Sequence, residues 1–264
     1  MELEANETVL VDRRDGVVSV TLNRPHRKNA LTGAMVERLH ALLEDVERRP
    51  EDRVLVLTGA GGAFCSGADL SDADSPAQGD APTALRRVRQ VGDLALALHR
   101  LRKPTIAKVD GVAVGAGLGL ALGCDLVVAS DRARLSMIFV RRGLSPDTGT
   151  AWLVPRLVGM VRAKELALLG DLVGAETARE IGLVGRVVPV ADLDATVAEL
   201  ALRLADGPAL ALSLTKELLD AAWAAPLDVV LEREAQAQAI NLAGPDAAEA
   251  LRAFVERREP RFRP

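Results

Sequence analysis

The stretch that most constrains this chain runs from Lys103 to Gly159. It starts with the apolar run Thr105–Val109, continues through Gly111, Gly115, Gly117 and Gly119, and reaches Cys124-Asp125-Leu126-Val127-Val128-Ala129. It ends on Gly143-Leu144-Ser145-Pro146-Asp147-Thr148-Gly149-Thr150-Ala151-Trp152-Leu153-Val154-Pro155-Arg156-Leu157-Val158-Gly159. A strand that turns through glycines into a helix leaves the first helical N–H groups without backbone partners, so they can face a bound oxygen.

The rest of the chain supplies layers for such a segment. Thr8–Asp12 and Val17–Leu22 are β-rich runs joined by Arg13-Arg14-Asp15-Gly16, and Asp-Gly between such runs signals a hairpin. Thr32 caps a helix expected through Arg48, with Met35, Val36, Leu39, Leu42, Leu43 and Val46 at helical spacing. Val54–Thr58 is continuously apolar and predicts a strand buried on both faces. Residues 71–82 are small, polar and proline-bearing, which predicts a mobile loop before a helix from about Thr83 to Leu101. Leu126–Ala129 and Val184–Val188 are further strands. This alternation of strands and helices predicts an α/β fold. Beyond Val190 four helices are expected, over Asp192–Leu204, Pro208–Ala222, Leu227–Leu242 and Asp246–Arg257, broken at Gly207-Pro208, Ala225-Pro226 and Gly244-Pro245.

With 264 residues, the chain is long enough for one large domain or a domain with an appendage. Aromatics make up only 2% and tyrosine is absent, so the core rests on Ala, Val and Leu. The net charge of −4 argues against a nucleic-acid partner. The N-terminus is acidic, without the pattern of a signal peptide. No apolar run reaches the roughly 20 residues that span a bilayer, so no membrane partner and a cytoplasmic location are expected. The two cysteines, Cys65 and Cys124, make no disulfide framework and are expected as free thiols.

Several familiar motifs fail on their spacing. Gly115-Ala116-Gly117-Leu118-Gly119 is followed by Leu120 where a dinucleotide fingerprint ends in Gly or Ala. No Gly-Lys-Ser/Thr follows a glycine loop. His26, His40 and His99 have no metal-ligand spacing, so no metal site is expected. Ser66 precedes Gly67 but has no G-x-S-x-G around it.

An ordered set of segments carries a more specific signal. Leu22-Asn23-Arg24-Pro25-His26-Arg27-Lys28-Asn29-Ala30-Leu31 comes first, then Val54–Thr58 with Ala63-Phe64-Cys65-Ser66-Gly67-Ala68-Asp69-Leu70, then Lys103–Asp125 and Gly143–Gly159. In that order they resemble the enoyl-CoA hydratase/isomerase (crotonase) superfamily over nearly the whole chain. The resemblance implies a crotonase-like ββα spiral core over residues 1–190 and a C-terminal helical trimerisation region over 191–264. It also implies a homotrimer or dimer of trimers that acts on acyl-CoA thioesters. CoA would be part of the substrate, and no metal or redox cofactor is needed.

Carried over by motif, the family's oxyanion hole falls on the backbone N–H groups of Ala68 and Ala116, with Ala116 entering a helix expected over Leu118–Leu122. The two glutamates of family hydratases fall on Gly119 and Phe139, neither of which can transfer a proton. Asp147 stands where some isomerase branches carry an aspartate, and the run around it resembles ring-epoxide and related enoyl-CoA isomerases. One carboxylate is enough to move a double bond by taking a proton from one carbon and returning it to another. Asp147 also follows Ser145-Pro146, where an acid suits a helix start for dipole and capping reasons. The family pattern adds Arg27, Lys28 and the Ala30 backbone at the CoA end, and Asp69, Leu70, Phe139 and Trp152 around the acyl thioester. Arg27 and Lys28 read equally as solvated charges, and Asp69 and Asp125 as structural acids beside turns. The expected activity is isomerisation of an acyl-CoA, with hydration or non-catalytic acyl-CoA binding as alternatives.

Overall fold

Asp15 (φ 52°) and Gly16 (φ 77°) close a two-residue turn between β1 (Val9–Arg14) and antiparallel β2 (Val17–Leu22). β1 runs two residues past the expected end at Asp12, because successive left-handed residues make a turn whose twist suits paired strands up to its edges. The structure is a computed structural model describing residues 7–71 and 80–262. The elements that follow β2 are α1 (Gly33–Arg48), β3 (Val54–Gly59), α2 (Ala81–Arg100), β4 (Thr105–Val109), β5 (Val112–Val114) and α3 (Ala116–Leu122). Next come β6 (Leu126–Ser130), β7 (Arg134–Ser136), α4 (Thr150–Val158), α5 (Met160–Leu169), β8 (Val173–Gly174), α6 (Ala175–Glu180) and β9 (Arg186–Val188). The chain ends with α7 (Leu193–Ala205), α8 (Ala209–Ala222), α9 (Leu227–Ala243) and α10 (Pro245–Glu256). Most of the 71–82 loop expectation lies outside the described residues; Asp80 caps α2 by accepting the Thr83 N–H at 3.0 Å.

Six strands form one sheet in the order β1-β2-β3-β4-β6-β9, parallel from β2 onward. Val11, Val20, Leu57, Ala107 and Val127 stand in one row across it. This row faces the larger core with α1, whose six predicted apolar positions are all buried. Val54, Val56, Ile106 and Val128 alternate to the other face, where α7 covers them with Leu193, Val197, Ala201 and Ala205. Two covered faces explain why β3 lacks any polar alternation.

A second sheet, β5-β7-β8, was not expected, because its strands have only two or three residues each. Its geometry makes the chain a spiral. β2, β3, β4 and β6 each lead to a short extended piece, and neighbouring pieces pair in parallel: Leu31 with Ala68, Cys65 with Ala113, and β5 with β7. After its short piece each of these turns continues into α1, α2 or α3, or into the 3-10 turn Ile138–Arg142. Successive turns therefore leave the small sheet side by side. α8 is tied beneath the core by Lys216 to Asp125 at 2.9 Å and by Arg102 to Glu217 at 3.0 Å, and α9 and α10 follow it in series. No helix among the described residues is long and apolar enough to cross a membrane.

Candidate active site

Ala68 and Ala116 stand at equivalent points of two adjacent turns. Leu31 N–H donates to Gly67 O at 2.8 Å and Asp69 N–H to Leu31 O at 2.8 Å, which fixes the backbone on both sides of Ala68. In this parallel pairing the Ala68 N–H points away from Leu31. Ala116 is the first residue of α3, two positions earlier than the helix start expected at Leu118, so its N–H has no helical acceptor. Among the described residues neither N–H donates to a protein acceptor. Gly67 (φ 89°) brings the turns together: a Cβ there would lie 3.1 Å from Val114 O and 3.5 Å from Ala116 N. The close approach and the left-handed φ both require glycine. The result is two inward N–H groups on touching strand ends, one of them at a helix N-terminus, an arrangement suited to an oxygen that gains negative charge.

Asp147 follows on the segment that packs over α3. Its backbone carbonyl accepts the N–H of Thr150 at 3.0 Å and the Thr150 hydroxyl at 2.8 Å. Its carboxylate does not cap α4, whose N-cap is Gly149 with no side-chain cap, so the capping half of the structural alternative does not apply. The Thr148 hydroxyl donates to Asp147 Oδ1 at 2.7 Å, and the carboxylate has no cationic partner among the described residues. Burial pushes its pKa above the ordinary carboxylate value, and the Thr148 hydroxyl opposes the shift. Thr148 is buried with φ 51°, a conformation that a β-branched residue adopts at a cost of about 1–3 kcal/mol.

The two positions that lack glutamates are filled. A Cβ on Gly119 would meet Thr148 O at 2.5 Å, Thr148 Cβ at 2.7 Å and Thr148 Cγ2 at 2.8 Å, so no side chain fits there with this backbone. Phe139 is buried, and its ring edge lies 3.9 Å from the place of a Cβ on Gly115, the residue before Ala116.

On the other side of Ala68, Arg24 pairs with Asp69 at 2.9 Å and donates to Ala30 O at 2.6 Å. Asp69 also accepts the Ser71 hydroxyl at 2.7 Å, and these partners, Ser71 first, hold its pKa below the usual range. Asp69 is thus engaged in holding the loop. The Ala30 N–H donates to Arg27 O at 3.1 Å, which leaves its carbonyl's second lone pair as its remaining backbone acceptor. Arg27 and Lys28 are exposed on the 3-10 turn Pro25–Arg27, and their carbonyls accept the Ser66 hydroxyl and Ser66 N–H. Leu70 is 43% exposed at the rim. Trp152 sits on α4 with its ring against His99, centroids 5.4 Å apart, and the Arg156 guanidinium 4.0 Å above it. It lines a cleft of about 750 Å³ between α2, α4 and α8, to which Thr148 and Gly149 also contribute.

Two residues of this neighbourhood escaped the sequence reading. Asn29 is fully buried with φ 56°; it accepts the Arg24 N–H and donates to Ala60 O and Ala63 O, locking the first turn of the spiral to the second. Its place in an Asn-Arg-Pro…Asn-Ala-Leu run was the available signal. Thr148 had none, since the contact that packs it, with Gly119, comes from another turn. Among the described residues no three His, Cys, Asp or Glu side chains gather as a metal site.

Comparison with known proteins agrees with this architecture. A sequence model of the enoyl-CoA hydratase/isomerase family matches residues 12–264. The chain is 41% identical over 257 residues to 1,2-epoxyphenylacetyl-CoA isomerase of Escherichia coli K12, covering 97% of this chain and 98% of that one. It is 39% identical over 256 residues to a probable enoyl-CoA hydratase of Rhodobacter capsulatus, covering 97% of each. The crystal structure of an enoyl-CoA hydratase from Bacillus anthracis superposes with a TM-score of 0.92 at 34% identity, over 97% of this chain and 99% of that one. Its fold is the crotonase fold with a helical C-terminal region, and the chain belongs to the enoyl-CoA hydratase/isomerase family.

Proposed function

We propose that this chain is an acyl-CoA isomerase that works with one carboxylate. A thioester carbonyl oxygen accepts hydrogen bonds from the Ala68 and Ala116 N–H groups. Asp147 takes a proton from a carbon of the acyl chain; that C–H bond breaks, and its electron pair moves into the conjugated enolate that the two N–H groups hold. The carboxylic acid then gives the same proton to a different carbon, the enolate collapses to the thioester, and the double bond has moved. Each oxyanion donor of this kind is worth on the order of 3 kcal/mol in the transition state, and a positioned base contributes about 10²–10⁴-fold.

The observation that carries this reading is the closure of Gly119 by Thr148, together with Phe139 at the second glutamate position. Water addition needs one group to activate water and one to protonate carbon. Asp69 is tied to Arg24 and Ser71, whereas Asp147 has no cationic partner among the described residues and adjoins Thr148, which packs on α3 at Gly119. Its raised pKa suits a group that must hold a proton between two steps. The similarity to an isomerase of an epoxide-bearing CoA ester supports a CoA thioester as the substrate class. Arg27 and Lys28 are exposed cations for its phosphates, and no metal or redox cofactor takes part. A homotrimer or dimer of trimers is part of the same reading.

The test is turnover of a 3-enoyl-CoA and a 2-enoyl-CoA, followed by mass spectrometry and NMR, with Asp147→Asn alongside. Isomerisation without mass change, lost at least 100-fold in the variant, is expected. Gain of water by the 2-enoyl-CoA that persists in Asp147→Asn would overturn the reading.

A further inference from the structure

Thr148 is an odd residue for its backbone. A left-handed φ favours glycine or asparagine, yet here a buried β-branched residue holds φ 51°. Its two side-chain branches do different things. The methyl lies on the bare backbone of Gly119, one helical turn beyond Ala116, and the hydroxyl donates to Asp147 Oδ1 at 2.7 Å. Glycine would relieve the strain but lose both contacts. Strain kept at a functional site points to a role for the group that it orients.

We propose that Thr148 is a positioning residue, whose hydroxyl anchors Asp147 Oδ1 against the α3 backbone and leaves Oδ2 as the oxygen that carries the proton. This rests on Asp147 being the proton shuttle. A carboxylate on a short side chain otherwise rotates about its last torsion and offers either oxygen. With Oδ1 held by one hydrogen bond, Oδ2 is the oxygen that keeps both lone pairs free, and the carboxylate plane is fixed by the Thr148 hydroxyl. The hydroxyl bonds the ionised form more strongly than the neutral acid, so it also stabilises the base that starts the reaction. The Gly119 contact sets the position of Thr148, since the threonine backbone and methyl have nowhere to move toward α3.

The experiment compares wild type, Thr148→Val, Thr148→Ser and Asp147→Asn. Valine keeps the methyl and removes the hydroxyl; serine keeps the hydroxyl and removes the methyl. For Thr148→Val the expected result is a drop in kcat of about 10-fold, with the acidic limb of the kcat/KM–pH profile moved up by about one pH unit, as follows from losing one hydrogen bond to a charged group. Thr148→Ser should restore both. The titration of the Asp147 carboxyl carbon, followed by NMR without substrate, should move by the same amount. This readout is independent of turnover, and a thermal melt of each variant shows that it is folded. An unmoved carboxyl titration and pH profile in folded Thr148→Val would overturn the proposal while Asp147→Asn remains inactive. Full activity in Asp147→Asn would instead overturn the proton-shuttle reading beneath it.

Discussion

Gly119 and Thr148 touch backbone to backbone: a Cβ on Gly119 would lie 2.5 Å from the Thr148 carbonyl oxygen. A family glutamate therefore cannot be restored at 119 by substitution alone. Gly119→Glu should displace the Asp147-Thr148 segment, lower stability by about 1–3 kcal/mol as overpacking does, and reduce isomerisation without adding water to a 2-enoyl-CoA. Denaturant unfolding and product analysis check the two halves. A stable Gly119→Glu protein that hydrates its substrate would mean that the segment moves freely.

Asp147 makes the fold's stability depend on pH in an unusual direction. Burial raises its folded pKa above the unfolded value, so the folded state holds the proton more tightly. The stability it contributes is complete below the unfolded pKa and is lost as pH rises through the folded pKa. At neutral pH the half-buried charge is a cost. Asp147→Asn should raise the melting temperature at pH 7, on the order of 2 °C for a chain of this size, and the gain should vanish near pH 3. The Asn side-chain oxygen still accepts the Thr148 hydroxyl, so packing is preserved. Melts of both proteins across that range check it.

Asp69 has the opposite sign. Ser71 and Arg24 hold its pKa down, so its contribution is present above the unfolded pKa and is lost as pH falls through the folded one. The Arg24–Asp69 pair is largely buried and also fixes Ala30 O. Asp69→Ala leaves the guanidinium without its charge partner and should cost about 3 kcal/mol at pH 7. Arg24→Met with Asp69→Leu should cost less than the two single changes added together. Additive losses in urea unfolding would show that the pair does not act as a unit.

Much of the fold could be read from local sequence. Thr32 and the apolar stripe from Met35 to Val46 predicted α1, and the four helices beyond Val190 fall within two residues of their predicted ends. Asp15-Gly16 predicted the hairpin. What escaped was made by contacts between turns of the spiral. β5, β7 and β8 are too short to show a period, and each is extended because of its neighbour. Ala68 and Ala116 were singled out by motif order alone, whereas the approach of their two turns depends on Gly67 meeting the start of α3. Asp147 was legible as an acid before a helix; that it spares the helix and takes a hydroxyl from Thr148 is visible only in three dimensions.

Large apolar side chains stand exposed on the C-terminal helices and on α5: Val161 is 83% exposed, Phe254 81% and Leu227 73%. Patches of this kind belong in protein contacts, in keeping with the proposed trimer. Sedimentation should give a particle of three or six chains. Leu227→Glu with Phe254→Glu should shift it toward single chains, and a monomeric wild type would overturn the assembly.

Cys65 and Cys124 report on the core from inside. Both are buried free thiols, and burial pushes each pKa up to about 12, so almost no thiolate exists at pH 8 in the folded chain. Cys65 lies under α3: a Cβ on Gly117 would meet Cys65 O at 2.3 Å and Cys65 Cβ at 2.7 Å. A thiol reagent therefore reaches Cys65 only when the start of α3 separates from the strand that carries Ala68. The native protein should react with Ellman's reagent at a small fraction of the free-thiol rate, and the denatured chain should release two equivalents at once. Because both sulfurs lie in one core, their slow native rates should rise together as urea is added, with a slope near that of global unfolding. Faster labelling of Cys65 than of Cys124, with a shallower urea dependence, would show that the segment around Ala68 and the start of α3 opens on its own.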